Sequence, residues 1–382
     1  MFRYPVYHPV LRTKLGELDV REAAWSEIVN GGSTFTGKVT VPDNPILISE
    51  IKRCTQPYRA ALYATPGLGR IQWGGVMVGR NWNDENNELT ITVMEWRTWL
   101  FSVILGPRPD ATGTNIFTYG NVDQLYIARD VINILVAGGG GGVAELGGIP
   151  PIDYGILSSG ILRNYMIHGM QLKSAGAHLD ALANMDRGFE WDLEPYFAND
   201  SLPKLRLQTY FPQRGGLIPY LKFSKTKDGG NILNMEDVEE DGTAASQRVW
   251  AVGEGPNAES TPWAMDQNPE VATGSVLRTD QVTTYGGALT RVNLASYARA
   301  ERQYRAEPLT VLKFPVRMDS PDVLAYQKGD RCSVRVKDRW LDIDVENCRI
   351  VQRDIFPEKN TAVLTVDLTD LVLPEVDTGG AV

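Results

Sequence analysis

Val78-Gly79-Arg80-Asn81-Trp82-Asn83-Asp84-Glu85-Asn86-Asn87-Glu88-Leu89-Thr90-Ile91-Thr92-Val93 aligns without a gap on Val351-Gln352-Arg353-Asp354-Ile355-Phe356-Pro357-Glu358-Lys359-Asn360-Thr361-Ala362-Val363-Leu364-Thr365-Val366, 273 residues further on. Six of the sixteen positions are identical: Val78/Val351, Arg80/Arg353, Glu85/Glu358, Asn87/Asn360, Thr92/Thr365 and Val93/Val366. Both segments read as a strand, a polar turn and an alternating strand, because apolar residues recur with a period of two. Chance agreement between two hairpins is one account. The other is a β module that occurs twice, with other material between its copies.

Outward from the first copy, residues 34–41 alternate, with Phe35, Val39 and Val41 on one face and Thr36, Lys38 and Thr40 on the other. Residues 61–64 and 71–73 are short strands joined through the turn chemistry of Thr65 to Gly69. Short strands at this spacing predict a small barrel or sandwich. Around the second copy, strands are expected at 220–223, 232–238, 248–252, 310–314, 332–336, 341–345, 349–351 and 363–368. Between the copies the period changes. Leu125, Ala128, Ile132 and Leu135 predict an amphipathic helix over 123–137, ended by the five glycines Gly138 to Gly142. A second helix is expected from a Ser174 cap to Asn184, burying Leu179 and Leu182. Strand period returns at 189–193 and 205–207. The stretch 254–280 reads as a long excursion, and 294–305 as a helix.

The fold expected is therefore mainly β with an α/β insertion. Residues 1–108 form a first β domain, a small barrel or sandwich, and 109–215 an inserted α/β domain. Residues 216–253 and 306–373 form a second β domain, interrupted by a loop and helix region at 254–305, with a loose tail at 374–382.

Composition narrows the function. The 382 residues are 43% hydrophobic and 22% charged, which excludes a wholly disordered chain. Asp and Glu outnumber Lys and Arg by 47 to 38, a formal charge of −9. An acidic chain without a dense basic block gains no counterion-release affinity for nucleic acid, so specific DNA binding and binding to anionic membranes are not expected. No run approaches the ~20 apolar residues of a spanning helix. The first ten residues, with Pro5, His8 and Pro9, have no apolar signal core, so no export signal is expected. Cys54, Cys332 and Cys348 are too few for a disulfide framework. Cys332 and Cys348 could flank one hairpin, with reduced buried thiols as the expectation, in a chain made in a reducing cytoplasm.

Catalytic signals are thin. The three histidines are His8, His168 and His178, and His178 reads as a packed helix residue. No HExxH or CxxC spacing offers zinc a site. Gly155 to Gly160 does not centre a serine as a nucleophile elbow does. Gly67-Leu68-Gly69 lacks the third glycine of a dinucleotide loop, and Gly138 to Gly142 follows a helix where a phosphate cradle precedes one. Glu190, Asp192 and Glu194 alternate on one strand face. A glycosidase-type pair is geometrically open to them, but a solvated face is expected. The acidic run 236–241 is either solvated or a negative wall that repels passing DNA. Trp25, Trp73, Trp82, Trp96 and Trp99 are read mainly as core, with some free to anchor subunit contacts. No catalytic, cofactor-binding or metal-binding residue is assigned, and no cofactor is expected.

Four stretches in order carry a resemblance: Ala24-Trp25-Ser26-Glu27-Ile28-Val29-Asn30-Gly31-Gly32-Ser33; Trp73-Gly74-Gly75-Val76 leading to Glu95-Trp96-Arg97-Thr98-Trp99-Leu100; Gln247-Arg248-Val249-Trp250-Ala251-Val252-Gly253-Glu254-Gly255; and Gly329-Asp330-Arg331-Cys332-Ser333-Val334-Arg335-Val336. Together they resemble the minor tail proteins of long-tailed actinobacteriophages, within the wider group of phage tail hub proteins.

The resemblance implies the tail hub fold, two related small β-barrels per chain, and a non-enzymatic homotrimer at the virion tail tip. Three chains would present six similar modules, matching a six-fold tail tube and distal tail protein ring to a three-fold tip. Implied partners are that ring, the tape measure protein, and other minor tail, fibre or receptor-binding proteins. Genomic DNA passes through without specific binding, and assembly is in the host cytoplasm. The competing expectations are a receptor- or carbohydrate-binding tail protein using its tryptophans, and a tail-tip cell-wall hydrolase using Glu190, Asp192 or Glu194. A six-fold distal tail protein is the nearest structural neighbour, but a duplicated module suits a trimer better.

Overall fold

The computed structural model describes residues 2–67, 70–106, 116–136, 148–155, 158–185, 187–227, 229–234, 237–241, 245–253, 261–285, 290–305, 309–337, 339 and 341–368. The first module contains β1 (Tyr4–Tyr7), β2 (Lys14–Leu18), β3 (Val20–Ile28), β4 (Thr34–Thr40), α1 (Pro45–Cys54), β5 (Ala61–Ala64), β6 (Trp73–Asn83) and β7 (Glu88–Glu95), followed by the one-turn α2 (Trp96–Trp99). The alternation seen in the sequence becomes burial: Leu89, Ile91 and Val93 of β7 and Phe35 and Val39 of β4 are buried. α1 starts where Asn44 accepts from the amides of Ile46 and Leu47 and Pro45 fills the first turn, a capping arrangement that satisfies otherwise orphaned donors.

The middle section holds β8 (Ile116–Asp123), α3 (Gln124–Val136), β9 (Ile152–Tyr154), β10 (Leu162–His168), α4 (Ala175–Ala183), β11 (Glu190–Phe197) and β12 (Pro203–Tyr210). α3 buries Leu125, Ala128, Ile132 and Leu135, and α4 begins at Ser174, whose hydroxyl accepts from Ala177 N at 3.2 Å. Both helices pack in one core with Trp191, Leu193, Leu205 and Leu207 of the β11/β12 hairpin. The glycine run Gly138 to Gly142 lies outside the described residues.

The chain then forms β13 (Leu217–Thr226), β14 (Gly229–Gly230) and β15 (Asp237–Asp241). A subsidiary unit follows, made of β16 (Arg248–Val252), β17 (Trp263–Gln267), α5 (Pro269–Thr273), β18 (Asp280–Thr284) and α6 (Arg291–Tyr304). The second module resumes with β19 (Leu309–Arg317), β20 (Arg331–Lys337), β21 (Asp342–Phe356) and β22 (Thr361–Asp367). This corrects one expectation. Residues 248–252 do not belong to the second module's sheet, because β16 pairs with β17 and β18 and packs Ala251 against Leu294, Tyr297 and Ala298 of α6. The subsidiary unit is thus spliced into the loop between β15 and β19, two strands that pair with each other.

The repeat is real in three dimensions. In the first copy Met77 pairs with Val93, a bulge follows, and Gly79 pairs with Thr92, continuing to Asn83 with Glu88. In the second, Ile350 pairs with Val366, a bulge follows, and Gln352 pairs with Thr365, continuing to Phe356 with Thr361. Register and bulge both superpose at the sequence offset of 273. Asn87 and Asn360, equivalent under that shift, both turn with φ of 49°, a left-handed conformation that asparagine tolerates better than most residues. Leu89, Ile91 and Val93 map onto Ala362, Leu364 and Val366, and all six are buried.

Both modules share one 14-stranded sheet, joined where β21 pairs with β3, and one hydrophobic core. The strand path runs from β14 to β2 with β22, β19 and β15 branching from β21. It closes nowhere, so the closed barrels expected from the sequence do not form among the described strands. The three subsidiary sheets, β8/β10, β9/β12/β11 and β16/β17/β18, are separate from it.

Candidate functional site

The densest polar feature sits where the middle section meets both modules. β11 places Trp191 and Leu193 in its own core and sends Glu190, Asp192 and Glu194 toward cations from elsewhere in the chain. Arg214 pairs with Asp192 at 2.9 Å and with Glu194 at 2.7 Å. Lys328 Nζ lies 2.7 Å from Asp192 and 3.6 Å from Glu95, and donates to the carbonyl of Ile28 at 3.1 Å. Arg349 reaches Glu190 at 2.5 Å. A step further, Arg353 pairs with Glu27, and both are buried.

Backbone geometry makes this convergence possible. Gly215 and Gly329 have φ of +84° and +91°, and a Cβ on Gly215 would stand 2.2 Å from the carbonyl oxygen of Gly329. Two chain segments cross there in contact, which only glycine permits. The crossing sets Arg214 and Lys328, the preceding residue of each glycine, beside the same carboxylate.

The ionisation states follow from this packing. Burial alone would raise Asp192, but Lys328 and Arg214 outweigh it and hold the carboxyl below its usual range. Glu27 is lowered in the same way, with Arg353 overcoming its burial. Glu95 goes the other way: burial raises it, Lys328 only partly offsets this, and Asp192 adds repulsion. Burial would lower Lys328, yet Asp192 and Glu95 keep it charged and raise it. Glu95 is thus the junction carboxyl whose neutral form this packing favours. A cavity of about 350 Å³ opens beside it, bordered by Glu27, Trp73, Asp192, Arg214 and Lys328 among others.

Glu190, Asp192 and Glu194 are therefore neither the solvated strand face expected nor a pair of free acids. Glu190 and Asp192 are buried and Glu194 half-buried; such carboxylates are tolerable when paired and hydrogen-bonded, and here each is held by arginine or lysine. Chemically this arrangement clamps three chain segments together. Glu27, Glu95, Arg214, Lys328, Arg349 and Arg353 were not singled out as site residues from the sequence. The identity of Arg353 with Arg80 across the repeat was the one signal available.

The other sequence candidates have ordinary surroundings. His178 is buried on α4, with Nδ1 3.0 Å from the Tyr165 hydroxyl, and burial lowers it to about 4. His8 and His168 each accept a backbone amide through Nδ1, from Leu11 at 3.1 Å and Met170 at 3.2 Å. Asp123 accepts from the Ser158 hydroxyl and the amides of Ser159 and Gly160, so that glycine- and serine-bearing loop is tied to the start of α3. Cys332 and Cys348 stand opposite each other in β20 and β21 as buried thiols not joined in a disulfide, and Cys54 is likewise buried and outside any disulfide. Trp25, Trp73 and Trp96 are core residues, whereas Trp82 is 44% exposed. Of the acidic run 236–241, β15 contains residues 237–241, and residue 236 lies outside the described residues. Among the described residues no cluster of His, Cys, Asp and Glu could hold a metal ion, and no helix is long and apolar enough to cross a membrane.

No known family profile matches the chain, and no curated protein matches it by sequence. Solved structures do. The 43 kDa tail protein of prophage MuSo2 from Shewanella oneidensis matches with a TM-score of 0.59 at 12% identity, covering 95% of this chain and 98% of that one. A tail protein from Neisseria meningitidis MC58 matches at 0.56 and 12%, covering 95% and 96%. Prophage tail protein gp18 from Listeria monocytogenes EGD-e matches at 0.55 and 13%, covering 96% and 94%. Over nearly its whole length the chain shares the fold of these phage tail proteins.

Proposed function

We propose that this chain is a structural tail hub, placed in the virion at the distal tip of a phage tail and assembled in the host cytoplasm. Three copies form a ring in which six related β modules, two barrel-like units per chain, face a six-fold distal tail protein ring above and a three-fold tip below. The hub anchors the tape measure protein and the fibre or receptor-binding proteins, and DNA passes through without specific contacts. Its resemblance to the actinobacteriophage minor tail proteins points to a siphovirus and to a part in host entry. Its work is binding geometry, without catalysis.

The observation that carries this reading is the duplicated hairpin with identical register, matching bulge and matching left-handed asparagine. A chain that contains one module twice can satisfy six equivalent neighbours with three copies. The ionic junction around Asp192 supports it, since a clamp fixes the angle between the modules and the middle section. The acidic composition, −9 overall, suits a channel that DNA must not adhere to.

The test is immunogold labelling of phage particles with antibody to this chain. Gold confined to the tail end remote from the capsid is expected; label along the tube or on the capsid overturns the reading. Release of peptidoglycan fragments by the purified chain would instead favour a hydrolase, and direct binding to host envelope a receptor-binding protein.

A further inference from the structure

The repeat predicts a contact that the single chain leaves unmade. In the second module, residues 352–355 of β21 pair with β3: Gln352 with Ile28, Arg353 with Glu27, Asp354 with Ser26 and Ile355 with Trp25. Their equivalents in the first module are Gly79, Arg80, Asn81 and Trp82 of β6. Along that stretch β6 pairs with β7 on one edge. Its other edge pairs with β5 only over residues 73–76. Among the described residues, the edge beyond Gly79 has no strand beside it.

The missing strand has an identifiable counterpart. β4 lies against β7, with Phe35 opposite Val93, as β19 lies against β22, with Leu312 opposite Val366. β3 flanks β4, with Trp25 opposite Phe35, as β15 flanks β19, with Val238 opposite Leu312. β15 is therefore the second module's β3. It too has a strand on one edge only among the described residues. Under this equivalence Ser26, Glu27 and Ile28 become Glu239, Glu240 and Asp241.

Side chains on β6 agree. Ile355 is 1% exposed and its equivalent Trp82 is 44% exposed; Arg353 is fully buried and Arg80 is exposed. Arg353 gives Nη1 to the Val323 and Tyr326 carbonyls and Nη2 to Glu27. Arg80 likewise gives Nη1 to the Lys52 carbonyl and the Thr55 hydroxyl. Its Nη2 has no partner among the described residues.

We infer that β6 of one copy pairs antiparallel with β15 of a second copy, in the register that β21 and β3 use within the chain. This rests on the trimeric reading above and specifies its contact. Gly79 then faces Asp241 of the partner subunit, Arg80 faces Glu240 of the partner subunit, Asn81 faces Glu239 of the partner subunit and Trp82 faces Val238 of the partner subunit. The register sets Arg80 opposite Glu240 of the partner subunit as it sets Arg353 opposite Glu27 within the chain, and two open strand edges are covered at once. Repeated head to tail, the contact closes a cyclic ring.

The test is cysteine cross-linking of the full chain, with the mass of each sample measured by light scattering. Directly opposed antiparallel residues lie about 4.5–5.5 Å apart at Cα, within disulfide reach. Asn81→Cys with Glu239→Cys should convert most of the chain to covalent dimer and trimer on a non-reducing gel, reversed by reductant. Ser26→Cys with Asp354→Cys, the intrachain equivalent, supplies the reference for register and reactivity. Asn81→Cys with Asp237→Cys, two residues out of register, should stay uncoupled. A trimeric mass without the first cross-link, or with equal cross-linking of the displaced pair, overturns this register and leaves the trimer standing. A monomeric mass in every sample overturns both.

Discussion

Arg353 and Glu27, 326 residues apart in the chain, meet at 2.5 Å with the arginine fully buried. Their pairing joins β21 of one module to β3 of the other. Arg353 also donates to the carbonyls of Val323 and Tyr326, and Trp25 Nε1 and Gln72 Nε2 donate to Glu27. A buried ion pair is sustained only when its remaining hydrogen-bonding capacity is met, and here most of it is.

Arg353→Ala should therefore cost roughly 3–5 kcal/mol in urea unfolding, because it leaves Glu27 buried and uncompensated. Arg353→Lys should recover less than half of that, since lysine cannot fork between a carboxylate and two carbonyls.

Asp192 and Glu95 should respond to pH in opposite ways. A carboxyl lowered in the folded state contributes stability above its ordinary value near 3.8, lost as pH falls through the lower folded value. Glu95, raised in the folded state, has the reverse sign: its ionisation removes stability as pH climbs from 4.5 toward that higher value. At pH 7, Asp192→Asn should cost about 3 kcal/mol. Glu95→Gln should change stability by less than about 1 kcal/mol and remove the loss on the rising side. Urea midpoints from about pH 2 to about pH 8, in steps of roughly half a unit, follow both.

His178 adds a separate slope. Lowered from 6.5 to about 4 by burial, it binds fewer protons folded than unfolded between those values. Stability should fall as pH drops through that window, by roughly 3 kcal/mol at its lower end. His178→Gln should flatten that part of the profile.

Asn87 and Asn360 share φ of 49°. Glycine at either site should be neutral or slightly stabilising, while valine should cost about 1–3 kcal/mol at each. Similar thermal shifts at the two sites are expected from equivalent turns.

The repeat was legible in the sequence because a period of two and a turn asparagine are local properties. α3 and the Ser174 cap were legible for the same reason. The ionic junction was not. The alternation of Glu190, Asp192 and Glu194 could be read, but their partners Arg214, Lys328 and Arg349 arrive through a backbone crossing at Gly215 and Gly329 that no local pattern encodes. Residues 248–252 misled because strand period does not say which sheet a strand joins. Strand spacing leaves barrel and sandwich equally open and the two barrels come from the family resemblance, whereas the pairing among the described strands leaves an open path. Nothing local to Trp82 separates a core tryptophan from one that anchors a subunit contact; its exposure gains meaning only beside buried Ile355.

A cryo-EM reconstruction of the assembled chain tests the central claim most directly. The account predicts a three-fold ring around an open channel, in which first and second modules alternate at successive rotations of about 60°. A ring without that alternation, or particles that remain single chains at every concentration imaged, would contradict it.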